Sequence, residues 1–285
     1  MLAPRQPGGC LPPPHRKGAA RLTAITTRPD LSAGSYRVWQ RNRDVQFRLW
    51  RTELIGVVVE PFVVILALGL GLGQFVKLSS GEEYVAFLTP GLLAMFPMFA
   101  AVFECAWGSY VRLEMQHTYD AIIATPVSVD DVITGEILWG MTRATVNAAY
   151  ILIVAIVLNP WLHMVESPWA LAIIPLSFVP GLLFSAISIC FASLARAMSQ
   201  FSYFFNLVIN PMFWFGGAFF PFDELPHWAQ ILGWFIPLTH VVELYRGFLK
   251  GQFEWSMIGD FAWVAAATFV FYWLALAGMR RRMIQ

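Results

Sequence analysis

Five stretches of this chain, at 55–76, 85–106, 144–162, 169–194 and 258–279, run for about twenty residues with almost no charge. That is the helix length a bilayer's hydrocarbon core demands. A sixth, 201–220, is as long and uncharged but carries Asn206, Asn210 and Pro211. Proline inside a span is tolerated where neighbours satisfy the carbonyl it frees. The composition agrees: 58% hydrophobic, 13% charged and a mean hydropathy of +0.60 over 285 residues lie outside the soluble norm. The expected fold is an all-α membrane protein with six transmembrane helices.

Two flanking regions add to this plan. Residues 1–35 are rich in Pro, Gly and Arg without an apolar period and read as a disordered N-terminal tail; 36–285 form the transmembrane domain. Over 36–51, Trp39, Phe47 and Trp50 interleave with Arg37, Arg41, Arg43, Arg48 and Arg51. That mixture suits an amphipathic helix in the membrane surface, with a solvated basic linker as the rival reading. Residues 223–251 are apolar but interrupted by His227, Pro237, His240, Glu243 and Arg246. They read as a re-entrant helical hairpin between spans five and six, turning at Pro237.

The distribution of basic residues sets the topology. With six spans, sixteen of the nineteen Lys and Arg lie on one side and three, Lys77, Arg246 and Lys250, on the other. A seventh span over 223–251 moves Arg280, Arg281 and Arg282 to the wrong side. Both termini and the polar island 107–140 are therefore expected in the cytosol. Trp50, Trp107, Trp139, Trp161, Trp169 and Trp255 lie near span ends, as an aromatic belt requires; Trp214 and Trp273 lie deeper and read as packing residues.

The island holds Arg112, Glu114, Asp120, Asp130, Asp131 and Glu136. Thr125-Pro126 stops one helix, because proline disfavours helical geometry in the residue before it. Ser128 begins another, with Asp130 and Asp131 in a first turn where the helix dipole favours anions. Leu113, Ile122 and Ile123 stand beside Tyr119 as exposed apolar candidates, so the bend is either a docking site or a solvated loop.

Bond chemistry has no visible constellation. There is no phosphate-cradling Gly-x-x-x-x-Gly-Lys-Ser/Thr loop, and His15, His117, His163, His227 and His240 lack metal spacing with carboxylates or cysteines. Cys10, Cys105 and Cys190 show no pairing pattern. The net charge of +1 points to no nucleic acid. Charges at membrane depth are costly, which singles out Glu60 and Glu104 as span-end carboxylates. His240, Glu243 and Arg246 share a helix face by their spacing. Phe213, Trp214, Phe215, Phe219 and Phe220 read as lipid or helix contacts, with a sugar path as the rival.

The run Gln116-His117-Thr118-Tyr119-Asp120-Ala121-Ile122-Ile123-Ala124-Thr125-Pro126, followed by Asp131-Val132-Ile133-Thr134-Gly135-Glu136 and Trp139, resembles the segment between spans two and three of ABC-2 type permeases. Asn210-Pro211, Gly216-Gly217, Phe220-Pro221, Leu225-Pro226, Pro237-Leu238-Thr239-His240 and Glu243-Leu244-Tyr245-Arg246-Gly247 are similar to the signature near span five. Glu60-Pro61 with Gly69, Gly71 and Gly73 is similar to the first span of the nodulation-factor (lipo-chitooligosaccharide) exporter permeases. The resemblance implies a homodimer bound to two copies of a separate ATPase, with ATP on that partner and no cofactor in this chain. It implies a cytosolic coupling helix at Gln116, His117, Thr118, Tyr119, Asp120, Thr125 and Pro126, and a re-entrant gate with Pro221, Pro226, Pro237, His240, Glu243 and Arg246. The implied cargo is a lipid-linked or acylated oligosaccharide, exported among membrane lipids. A drug or lipid exporter, a stand-alone secondary transporter or channel, and a membrane-embedded transferase stand as alternatives. No internal repeat of the kind secondary transporters show is visible.

Overall fold

The structure, a computed structural model, describes residues 31–73, 75, 76, 78, 81–221 and 226–283. Among these residues every regular element is helical, as apolar runs in lipid require: a spanning segment has no water to satisfy its backbone and must satisfy itself. α1 (Gly34–Val64) continues as a π-helical run, Ile65–Leu72. α2 (Tyr84–Val102) continues through π-helical Phe103–Gly108 and Val111–Met115. A short α3 (Thr118–Ile123) precedes α4 (Val129–Leu162). The turns Pro168–Ala172 and Ile173–Leu176 lead into α5 (Phe178–Leu194). α6 occupies 200–215, α-helical over Gln200–Phe204 and Asn210–Phe215 with a π turn Phe205–Ile209 between. α7 (His227–Trp234) and α8 (Pro237–Lys250) form a helical hairpin, and α9 (Ser256–Met283) follows.

Four segments, Tyr84–Met115, Val129–Leu162, Pro168–Leu194 and Ser256–Met283, are long and apolar enough to cross a membrane. The chain is a multi-pass membrane protein. The other two expected spans take different forms. The first is the far part of α1, where the apolar stretch is the shorter Val59–Gly69. The expected fifth, α6, is helical across Pro211 but ends at Phe215; Pro211 has no N–H to return to the preceding turn, and the turn before it is π-helical. The chain then leaves the helix at Gly216 and Gly217, the latter with a φ of +70° that favours glycine.

α2 is the central helix, packed against α4, α5 and α8, while α9 lies along α5 and α1 along α4. The main core joins Leu88, Leu92 and Met98 of α2 to Ile151 of α4, Phe184 of α5 and Tyr245 of α8. Close helix approach is set by small residues, as in membrane bundles generally. A Cβ on Gly140 would sit 2.3 Å from both Cys105 Sγ and Ser185 Oγ, and one on Gly278 would sit 2.3 Å from Ser193 Oγ. Outward-facing Ile153, Val157, Phe269 and Leu274 supply the apolar surface lipid requires.

Several sequence expectations are corrected. Trp161, Trp169 and Trp255 are exposed at helix ends and Trp107 is exposed within the run that continues α2, but Trp139 is buried and Trp214 is exposed. The reason is that α4 extends well before residue 144, which turns Trp139 inward, while α6 ends just after Trp214. Gly34 opens α1 and Ser32 makes tertiary hydrogen bonds; the rest of the tail expected over 1–35, residues 1–30, lies outside the described residues. The surface helix expected over 36–51 and the first span run together as one helical element.

Candidate coupling site and its charge network

The polar island folds against a second core at one end of the bundle. This core is built from Val38 of α1, Val132, Ile133 and Ile137 of α4, Ala186 and Ile189 of α5, and Leu276 and Met279 of α9. Tyr119 enters it and is 1% exposed. A helix of six residues has too few hydrogen bonds to stand alone in water, so the position of α3 depends on this ring. The Tyr119 hydroxyl is buried beside Ser109 and Arg112 but makes no hydrogen bond of good geometry, and burial pushes its pKa up.

The remaining residues of the site lie around that pin. Gln116 and His117 are exposed, with His117 in the left-handed region at φ 50°. That conformation is strained for a non-glycine residue; it breaks the helical path between Met115 and Thr118. His117 Nδ1 lies 3.2 Å from Asp120 Oδ2 and the Thr118 hydroxyl donates to Gln116 Oε1 at 3.3 Å. The Thr125 hydroxyl donates to the Ile122 carbonyl at 2.5 Å and closes the far end of α3. Asp120, Thr125 and Pro126 are exposed. Leu113, Ile122 and Ile123, expected to be exposed, are half-buried against the same core. The outward face of α3 is therefore polar, and its inward face is the apolar one.

The second helix of the island starts as its sequence suggests. Asp131 N–H donates to Ser128 Oγ at 3.1 Å and Ser128 N–H donates to Asp131 Oδ2 at 3.3 Å, a reciprocal capping box. Asp131 also accepts from Ser32 N–H and Ser32 Oγ, at 2.8 and 2.7 Å, which ties the start of α1 to the start of α4.

Behind α3 runs a buried chain of charges. Arg112 donates to Glu136 Oε2 at 2.7 Å and to Glu104 Oε1 at 3.0 Å; Glu136, 1% exposed, also accepts from Asn42 Nδ2 at 3.1 Å. Arg143 lies 3.8 Å from Glu104. Asp130 is held by both Nε and Nη2 of Arg280, and Arg282 donates to Glu114 at 2.6 Å and to the Ala192 carbonyl. Buried pairs of this kind cost much of their attraction in desolvation, so their contribution is to specify which helix ends meet. Here they join the residues next to α3 to α1, α2, α4, α5 and α9.

Glu104 thus belongs to this network, whereas Glu60 is exposed on α1 and does not.

The second group of sequence-singled residues lies at the opposite end, where α8 meets the start of α9. Pro237 is the first residue of α8 and Pro226 caps α7. Pro221 is half-buried and precedes 222–225, which are outside the described residues along with Leu225 of the motif. Arg246 donates to Glu243 at 2.6 Å and covers the Phe87 ring at 4.6 Å. His240 has both ring nitrogens against acceptors, Asp260 Oδ1 at 2.7 Å and the Trp234 carbonyl at 2.8 Å, and stacks on Trp263. Asp260, Asn42, Ser32 and Arg280 were not singled out from sequence. For Asp260 the signal was present, a lone carboxylate at the edge of an apolar run.

Among the described residues no group of three His, Cys, Asp or Glu side chains is placed to hold a metal ion.

A multi-helix membrane body with a short polar-faced helix pinned to its charged end is the form of a transport permease. The chain matches the family described as ABC-2 type transporter over residues 36–249 and belongs to it. It is 31% identical to Nodulation protein J of Rhizobium leguminosarum bv. trifolii over 264 residues, covering 92% of this chain and 98% of that one. It is 32% identical to Nodulation protein J of Rhizobium meliloti over 215 residues, 75% and 80% of the two chains. It is also similar, at 22% identity over 244 residues, to the inner membrane transport permease YadH of Escherichia coli, covering 86% and 93%. The chain is thus an ABC-2 permease subunit, the membrane component that carries no nucleotide-binding domain or cofactor and works with a partner ATPase.

Proposed function

We propose that this chain is the permease half of an inner-membrane exporter of lipid-linked or acylated oligosaccharide, acting as a homodimer with two copies of a separate ATPase. The observation that carries the reading is α3. It and the residues on either side of it present Gln116, His117, Asp120, Thr125 and Pro126 outward, while Tyr119 and the Arg112–Glu136–Glu104 chain join it to the helix ends behind it. ATP-driven closure of the partner pushes this face, and the buried ion pairs pass the displacement to α1, α2 and α4 together. Six crossings are counted with the far part of α1 as the first and α6 as the fifth. Both termini and α3 then lie in the cytosol, which the excess of Lys and Arg on that side supports. The α7–α8 hairpin is the re-entrant gate at the outer face, and cargo moves along the interface between the two permeases. The cargo class draws support from the nodulation proteins among the relatives. Reconstitution tests it: vesicles with chain and ATPase together move an acylated chito-oligosaccharide on addition of ATP, and vesicles with the chain alone do not. Transport by the chain alone overturns the proposal.

A further inference from the structure

Where α8 runs into α9, at the end of the bundle away from α3, two cavities of opposite character share a wall. One, of about 290 Å³, is polar and lined by Glu243, Arg246, Lys250, Gln252, Glu254 and Asp260. The other, of about 530 Å³, is apolar and lined by Leu244, Phe248, Phe253, Trp255, Ile258 and Phe261. Glu254 and Met257 border both. Phe253 packs edge-on against Phe248 and Trp169, and Trp255 at the rim is 88% exposed. An indole in that position suits a boundary between lipid and water.

The polar cavity is not built for an anion. Three carboxylates line it against two cations, and both cations are engaged: Arg246 with Glu243, and Lys250 with Glu82 at 2.7 Å. Asp260 is engaged on one oxygen by His240. A phosphate headgroup would have to displace a carboxylate from Arg246 or Lys250 and then face the carboxylates left behind. What the walls offer instead is interleaved donors and acceptors: Gln252, Asp260, Lys250 and Ser256, whose hydroxyl donates to Glu254 Oε2 at 3.3 Å, line one small space. A neutral, many-hydroxyl group uses such a set fully, because every hydroxyl both donates and accepts. The volume corresponds to a sugar ring rather than a chain of them.

We propose that this double cavity binds an acylated sugar, with a terminal sugar unit in the polar compartment and the acyl chain in the apolar one. The inference rests on the cargo class given above and adds where that cargo is held at the face opposite the ATPase.

The probe is an N-acylglucosamine carrying a diazirine in its acyl chain, applied to the permease–ATPase complex in phosphatidylcholine nanodiscs, irradiated and mapped by mass spectrometry. Label is expected on the segment 253–261, and unlabelled N-acylglucosamine is expected to displace it about tenfold more effectively than phosphatidylethanolamine or phosphatidylglycerol. Gln252→Ala, an exposed position, and Phe261→Ala are each expected to reduce labelling, in complexes whose melting temperature matches the wild type. Label elsewhere, displacement by phospholipid as effective as by the glycolipid, or labelling unchanged by both variants overturns the site. Stimulation of the partner's ATP hydrolysis by the same glycolipid is measured in parallel. Stimulation without label at 253–261 overturns this site and leaves the cargo reading standing; label there without stimulation or transport does the reverse.

Discussion

Asp131 accepts two hydrogen bonds from Ser32, one from its backbone N–H at 2.8 Å and one from its hydroxyl at 2.7 Å, across 99 residues of sequence. The same carboxylate completes the capping box of α4. One side chain therefore sets both the start of α4 and the place where α1 is attached to it. Asp131→Ala is expected to lower stability by about 1–2 kcal/mol through the lost cap and the lost tie to Ser32. Limited proteolysis should show cleavage near Ser32 accelerated first. Unchanged protection of that segment contradicts the tie.

Tyr119 separates packing from hydrogen bonding. Its ring fills the second core while its hydroxyl, beside Ser109 and Arg112, makes no hydrogen bond of good geometry. Tyr119→Ala should cost about 3–5 kcal/mol, as for other buried aromatic truncations, and uncouple ATP hydrolysis from transport. Tyr119→Phe should stay within about 1 kcal/mol of wild type. Thermal unfolding of the purified complex checks both, and equal losses contradict this division.

Arg112 and Glu136 should be strongly coupled. Removing Arg112 alone leaves the buried Glu136 without a cation, at about 3–5 kcal/mol, and removing Glu136 alone leaves Arg112 with only Glu104, whereas replacing both with apolar residues of similar volume should recover much of the loss. A double-mutant cycle on Arg112→Met and Glu136→Leu reads this from melting temperatures, and additive losses contradict the pairing.

His240 predicts a pH dependence at the other end. Burial pulls its pKa down, but the hydrogen bonds to Asp260 and to the Trp234 carbonyl outweigh that and leave it raised. A free histidine titrates near ~6.5. The stability this ion pair contributes is therefore full below that value and lost as pH rises through the higher folded one. Melting temperature should fall over that window in the wild type, and His240→Gln should remove that part of the slope. An identical pH profile in the variant contradicts the assignment.

What the sequence made legible was local. The Ser128 cap, the stop at Thr125-Pro126 and the hairpin turn at Pro237 follow from one or two residues each, and all are found where expected. What it did not make legible was tertiary. Arg280 meets Asp130 across 150 residues and Asn42 meets Glu136 across 94, and neither pair leaves a periodic or compositional trace. The burial of Tyr119 was hidden for the same reason. On a six-residue helix an aromatic has no repeat to reveal its face, and the residues that cover it come from α4, α5 and α9. At α6 the apolar count was right, but the helix stops at Gly216, short of the expected 201–220.

The central claim is that the outward face of α3 receives the ATPase, and disulfide crosslinking tests it most directly. Asp120→Cys is introduced with the native cysteines replaced by serine, paired with single cysteines across the ATPase surface, and oxidised in membranes with and without ATP. A crosslinked permease–ATPase product whose yield changes on ATP binding is predicted. No crosslink at any ATPase position, together with labelling of Asp120→Cys by a membrane-impermeant reagent in intact cells, contradicts it.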